Sequence, residues 1–117
     1  MAIEFVLAVV PVSDIGRARE WYGQLFGREP DNNPMESLIE WHITDNGWVQ
    51  VTHQSERAGN AYLNLAVSDL DQHIAELTER GLKPGAVQPV NKGVLLSPID
   101  DPDGNTITLI GNFRVKY

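Results

Sequence analysis

The feature that most constrains this chain is that it is written twice. Val12-Ser13-Asp14-Ile15 recurs, 55 residues later, as Val67-Ser68-Asp69-Leu70. Two turns echo each other as well. Asp45-Asn46-Gly47 leads into Trp48-Val49-Gln50-Val51-Thr52, and Asp101-Pro102-Asp103-Gly104-Asn105 leads into Thr106-Ile107-Thr108-Leu109-Ile110. Proline sets φ, Asp and Asn bond their own backbone, and glycine accepts positive φ, which is what a tight turn requires. The alternation after each turn is that of a strand with two differently used faces. A repeat of this length means one supersecondary unit used twice.

Each unit reads as strand, helix, then three strands. Residues 3–12 form the first strand, ended near Pro11. Ser13 or Asp14 caps a helix in which Ile15, Ala18, Trp21, Tyr22, Leu25 and Phe26 recur at helical spacing, and Gly27 suits its left-handed stop. Residues 28–35 are a short edge strand or loop. Residues 38–44 and 48–53 make a hairpin. A three-residue loop places Ile39, Trp41, Ile43, Val49 and Val51 on one face and Glu40, His42, Trp48, Gln50 and Thr52 on the other. A two-residue loop moves the first strand's residues across. After a polar connector at 54–60 the programme repeats. Residues 61–68 form a strand, and Ser68 or Asp69 opens a helix striped by Leu70, Ile74 and Leu77. Arg80 sits in its last turn to suit the dipole, and Gly81 ends it. Three strands follow at 87–90, 93–99 and 105–113. The expected class is α+β: two tandem βαβββ modules, about 1–57 and 58–117 of a single domain, with curved mixed sheets each covered by a helix.

The 117 residues suffice for one cored domain. With no cysteine, disulfides, thiolate metal sites and cysteine nucleophiles are excluded. Sixteen acids against nine bases leave a net charge of −7, which repels phosphate backbones and argues against nucleic-acid binding. The apolar run at 3–12 is too short to span a membrane and lacks a basic leader and a cleavage site, so a cytoplasmic protein with no membrane partner is expected.

A tandem pair of this size, with Val12-Ser13-Asp14-Ile15, the Trp21-Tyr22…Leu25-Phe26-Gly27 helix and the Asp101–Ile110 segment, resembles the vicinal oxygen chelate superfamily: glyoxalase I, bleomycin resistance proteins and extradiol dioxygenases. The resemblance implies a cup lined by strand residues and a homodimer in which two chains complete each other's site. It also implies four metal-ligand positions, which in this sequence are Leu7, Gln50, Tyr62 and Thr108. Leucine cannot ligate a divalent cation, and tyrosine and threonine are poor neutral donors. No metal site and no cofactor are therefore expected.

What remains is a binding cup. Trp48 and Tyr62 would stack on a planar or aromatic small molecule, with Gln50, Asn64, Thr106 and Thr108 as polar contacts and Phe5 and Leu7 as apolar lining. The acidic charge would favour a cationic ligand. The alternative is an enzyme, a lyase, isomerase or dioxygenase-like protein with a metal-free or non-standard site, in which His42 or Glu40 is the base. His42 also reads as a rim or surface residue. His53 reads as solvated and His73 as a helix boundary residue. Asp100, Asp101 and Asp103 read as carboxylates of a structural turn.

Overall fold

The computed structural model describes residues 2–116. Its first half runs β1 (Val6–Val12), α1 (Ile15–Phe26), β2 (Asn32–Met35), β3 (Leu38–Thr44) and β4 (Gly47–His53). The second runs β5 (Tyr62–Val67), α2 (Leu70–Glu79), β6 (Gln88–Pro89), β7 (Leu95–Asp100) and β8 (Thr106–Gly111). The strands form two four-stranded sheets of the same order, β1-β4-β3-β2 and β5-β8-β7-β6. In each the first and last strands pair parallel and the rest antiparallel.

Local chemistry sets the helix ends. Of the two capping candidates before each helix, the aspartate is used: Asp14 accepts the Arg17 N–H and Asp69 the Gln72 N–H. Gly27 ends α1 at φ 75°, a left-handed conformation that costs glycine nothing. Ser13 is thereby left for a longer reach, with its N–H and Oγ both donating to Asp103, far along the chain.

The hairpin adopts the register that pairs Glu40 with Gln50 and His42 with Trp48, with an irregularity between His42 and Thr44. Ile39, Trp41, Val49 and Val51 are buried beneath α1 together with Tyr22 and Leu25. Trp41 donates Nε1–H to the Arg28 carbonyl and sits 5.3 Å from Phe26, centroid to centroid. In the second half Leu70, Leu77, Ile107 and Leu109 do the same work, and both sets belong to one hydrophobic core.

Three expectations need correction. The first strand begins at Val6, not at residue 3, because its partner β4 starts only after the turn, at Gly47. Phe5 therefore precedes the strand. The strand expected at 87–90 shrinks to Gln88–Pro89. Arg80 caps α2 with its backbone N–H, but its side chain serves the other helix. Its Nε and Nη2 donate to the Gln24 and Leu25 carbonyls at the end of α1, while Gln24 Nε2 donates back to the Arg80 carbonyl. Four C-terminal carbonyls of any helix lack intrahelical partners, so one helix here caps another. Arg80→Ala is expected to cost about 1 kcal/mol, read as a lowered urea midpoint at unchanged slope, since these bonds are partly solvated.

Candidate functional site

The alternation that buries one face of each sheet leaves the other open. On the first sheet, register builds three cross-strand rows on that face. Leu7, Trp48 and His42 form one, Val9, Gln50, Glu40 and Asn32 the next, and Pro11, Thr52 and Leu38 the third. His42 and Trp48 stack with centroids 4.4 Å apart and planes 19° from parallel. Glu40 lies beside them, its Oε1 accepting from Asn32 Nδ2 (3.1 Å) and its Oε2 from Gln50 Nε2 (2.8 Å). Amide donors thus orient a carboxylate next to an aromatic stack.

His42 is itself held. Its Nε2 lies 3.1 Å from the Asp45 carbonyl. A carbonyl only accepts, so Nε2 carries a proton, and in the neutral ring the lone pair is on Nδ1. Asp31 accepts the His42 backbone N–H at 2.7 Å and also pairs with Arg28. These contacts, the His42 N–H first, hold the Asp31 carboxyl below the usual carboxylate range.

On the second sheet the open face carries Tyr62 opposite Thr106, and Asn64 opposite Thr108. Thr106 Oγ1 donates to Asp100. Tyr62 is 83 % exposed. The expected lining residues therefore fall into two groups. Leu7, Trp48 and Gln50 come together with Glu40 and His42 on one sheet, and Tyr62, Asn64, Thr106 and Thr108 share the other. Phe5 lies outside both sheets and is half exposed. Leu7 and Val9 are also largely exposed, so apolar surface borders the aromatic stack. Among the described residues no three His, Asp or Glu side chains gather as a group that could hold a metal ion. Nor is any helix long and apolar enough to cross a membrane.

The other two histidines stand apart. His53 is exposed, with Nε2 3.1 Å from Ser55 Oγ. His73 on α2 is half-buried, and that burial lowers its pKa below the ordinary imidazole value.

Sequence reasoning missed Asn32, which sits in a stretch with no periodic signal and reaches Glu40 only through edge-strand pairing. It also missed what the Asp101 turn does. Asp101 is buried; its Oδ1 accepts the Asp103 and Asn105 backbone N–H groups, and its Oδ2 accepts Tyr22 Oη–H and Asn105 Nδ2. Asn105 Oδ1 in turn accepts the Gly59 and Ala61 N–H groups, and its Nδ2 also reaches the Pro11 carbonyl. The turn is structural, as expected, and it also fastens the two halves together.

No protein-family model matches the sequence, and no curated protein matches it either. Solved structures do. A glyoxalase/bleomycin resistance protein from Catenulispora acidiphila DSM 44928 is 32 % identical over 92 % of this chain and 96 % of its own, with a TM-score of 0.86. TnmS3, an antibiotic binding protein from Streptomyces sp. CB03234, is 26 % identical over 95 % of this chain and 98 % of its own, with a TM-score of 0.74. A glyoxalase/bleomycin resistance protein from the same strain shares the fold at 23 % identity, covering 90 % of this chain and 97 % of its own, with a TM-score of 0.70. This chain belongs to the glyoxalase/bleomycin resistance protein family, within the vicinal oxygen chelate superfamily.

Proposed function

We propose that this protein binds a planar small molecule, without a metal ion, on the open face of its first sheet. The observation that carries the reading is the His42–Trp48 stack beside the amide-held carboxylate of Glu40. An aromatic surface next to one oriented charge is what a flat, cationic ligand requires: stacking area for its rings and an anion for its charge. The net charge of −7 favours approach of such a ligand. The likeness to TnmS3, an antibiotic binding protein, supports the same class of ligand.

At the positions where the superfamily places metal ligands, Leu7 offers no donor atom and Tyr62 and Thr108 offer only hydroxyls. Gln50 has its amide nitrogen on Glu40. These residues do not suit a divalent cation. Exposed Leu7, Val9 and Tyr62 point to a homodimer, in which the second-sheet face of another copy closes the cup over Trp48.

Titration of 9-aminoacridine, a planar cation, tests this reading by quenching of tryptophan fluorescence. Saturable binding is expected, and Glu40→Gln should weaken it about tenfold while the uncharged analogue acridine is unaffected. Equal affinity of both proteins for the cation would remove Glu40 from the site. A second reading, an enzyme with His42 as base, is favoured by Nδ1, which has no hydrogen-bond partner among the described residues. Turnover of a bound compound that is lost in His42→Ala would establish it.

A further inference from the structure

The two halves of the molecule differ at one equivalent place. His42 pairs with Trp48 as Asp100 pairs with Thr106, so Ile43 is the counterpart of Asp101. In the second half Asp101 turns inward to Tyr22 and Asp103 reaches Ser13, closing that turn against the first half. In the first half Ile43 has no polar group to do this. Ser68, the counterpart of Ser13, makes no hydrogen bond to the hairpin among the described residues. A cleft of about 500 Å³ stays open there, between the β3–β4 hairpin, the end of α1, the edge of β5 and α2.

The cleft has two chemical parts. Phe26, Ile43, Leu65 and Val67, all half-buried, provide apolar wall. Arg28 and Arg80 line the same cleft. Arg28 uses Nη2 for Asp31 and the His42 carbonyl, and Arg80 uses Nε and Nη2 for the Gln24 and Leu25 carbonyls. Their remaining N–H groups have no partner among the described residues. The opposing charge in the lining is Glu76, and His73 adds no positive charge because burial favours its neutral form. An otherwise acidic chain thus lines a partly apolar cleft with two arginines.

We propose that this cleft is a second small-molecule site, separate from the open sheet face, which takes an apolar or aromatic body ending in a carboxylate. Its volume lies within the range of about 300–1,000 Å³ usual for ligand pockets. A guanidinium meets a carboxylate with two parallel N–H donors, which gives orientation as well as attraction. The proposal does not depend on what binds beside Trp48.

The test is a titration of the uniformly 15N-labelled protein with 1-naphthoate, followed by amide chemical shifts. Saturable changes are expected at Ile43, Thr44 and residues 64–67, with no displacement of 9-aminoacridine. Arg28→Gln should weaken 1-naphthoate about five- to tenfold and leave the neutral analogue 1-naphthalenemethanol unchanged. Leu65→Phe, which fills the wall and keeps both charges, should weaken both compounds; it serves as the second variant if Arg28→Gln loses its dispersed spectrum. Changes confined to Trp48, Gln50 and their neighbours would overturn the proposal, as would no saturation at millimolar probe. Shifts at residues 64–67 on raising protein concentration alone would also overturn it, since a second copy would then cover the cleft.

Discussion

Asp101→Ala is expected to lower the stability of this protein by about 4 kcal/mol, the largest effect of any single polar substitution considered. The side chain is 5 % exposed and accepts from Tyr22 Oη, Asn105 Nδ2 and two backbone N–H groups of its own turn. Removing it strands donors in the interior, and each buried donor without a partner costs about 1–3 kcal/mol, less whatever water recovers. In a domain of this size the melting temperature should fall by roughly 15 °C. Asp101→Asn should recover only part of the loss, because one of its ends then presents an amide donor to other donors. A loss under about 1.5 kcal/mol for the alanine variant would mean that Asp101 is not what fastens the halves together.

The same contact makes a prediction in alkali. Burial first, and then the Asp101 carboxylate, push the Tyr22 phenol far above its ordinary pKa of about 10. The unfolded phenol ionises near pH 10 while the folded one keeps its proton. The contribution is therefore fully present below pH 10 and is lost above it, by about 1.4 kcal/mol per pH unit. Tyr22→Phe should remove that part of the slope in urea titrations taken from pH 9 to 11.

Trp48→Ala should weaken binding of 9-aminoacridine by about 30- to 150-fold, or roughly 2–3 kcal/mol, the range for an aromatic anchor at the centre of a contact. Trp48 has one ring face against His42. Leu7 is its neighbour on the other side in the register, and the ligand would stack on the ring face that His42 leaves uncovered. Because Trp48 is half-buried on the open side of the sheet, the substitution should cost the fold less than about 2 kcal/mol, which a denaturant titration of the same variant checks. Unchanged affinity in a folded variant would move the ligand elsewhere.

The parts of this structure legible in the sequence are those written locally. The repeated Val-Ser-Asp, the helical spacing from Ile15 to Phe26 and the alternation on either side of Asp45-Asn46-Gly47 each specify an element. The hairpin faces follow once a register is chosen. The contacts between halves were not legible. Tyr22 sits at a core position of α1 by its spacing, and nothing nearby announces that its hydroxyl meets Asp101. Arg80 looked like an ordinary dipole partner because its real acceptors, the Gln24 and Leu25 carbonyls, belong to another helix. The candidate site was legible in part for the same reason. Glu40, His42, Trp48 and Gln50 share a face through one hairpin, whereas bringing Tyr62 and Thr108 over them depends on how whole sheets, or whole chains, associate.

The most direct test of the central claim is the affinity for 9-aminoacridine measured twice, once on protein stripped with chelator and once after adding Ni²⁺, Zn²⁺, Mn²⁺ or Fe²⁺, with the metal content determined in each sample. The account predicts one dissociation constant throughout, no stoichiometric metal and no metal-induced rise in melting temperature. Binding that appears only with a stoichiometric metal, accompanied by such a rise, would contradict it.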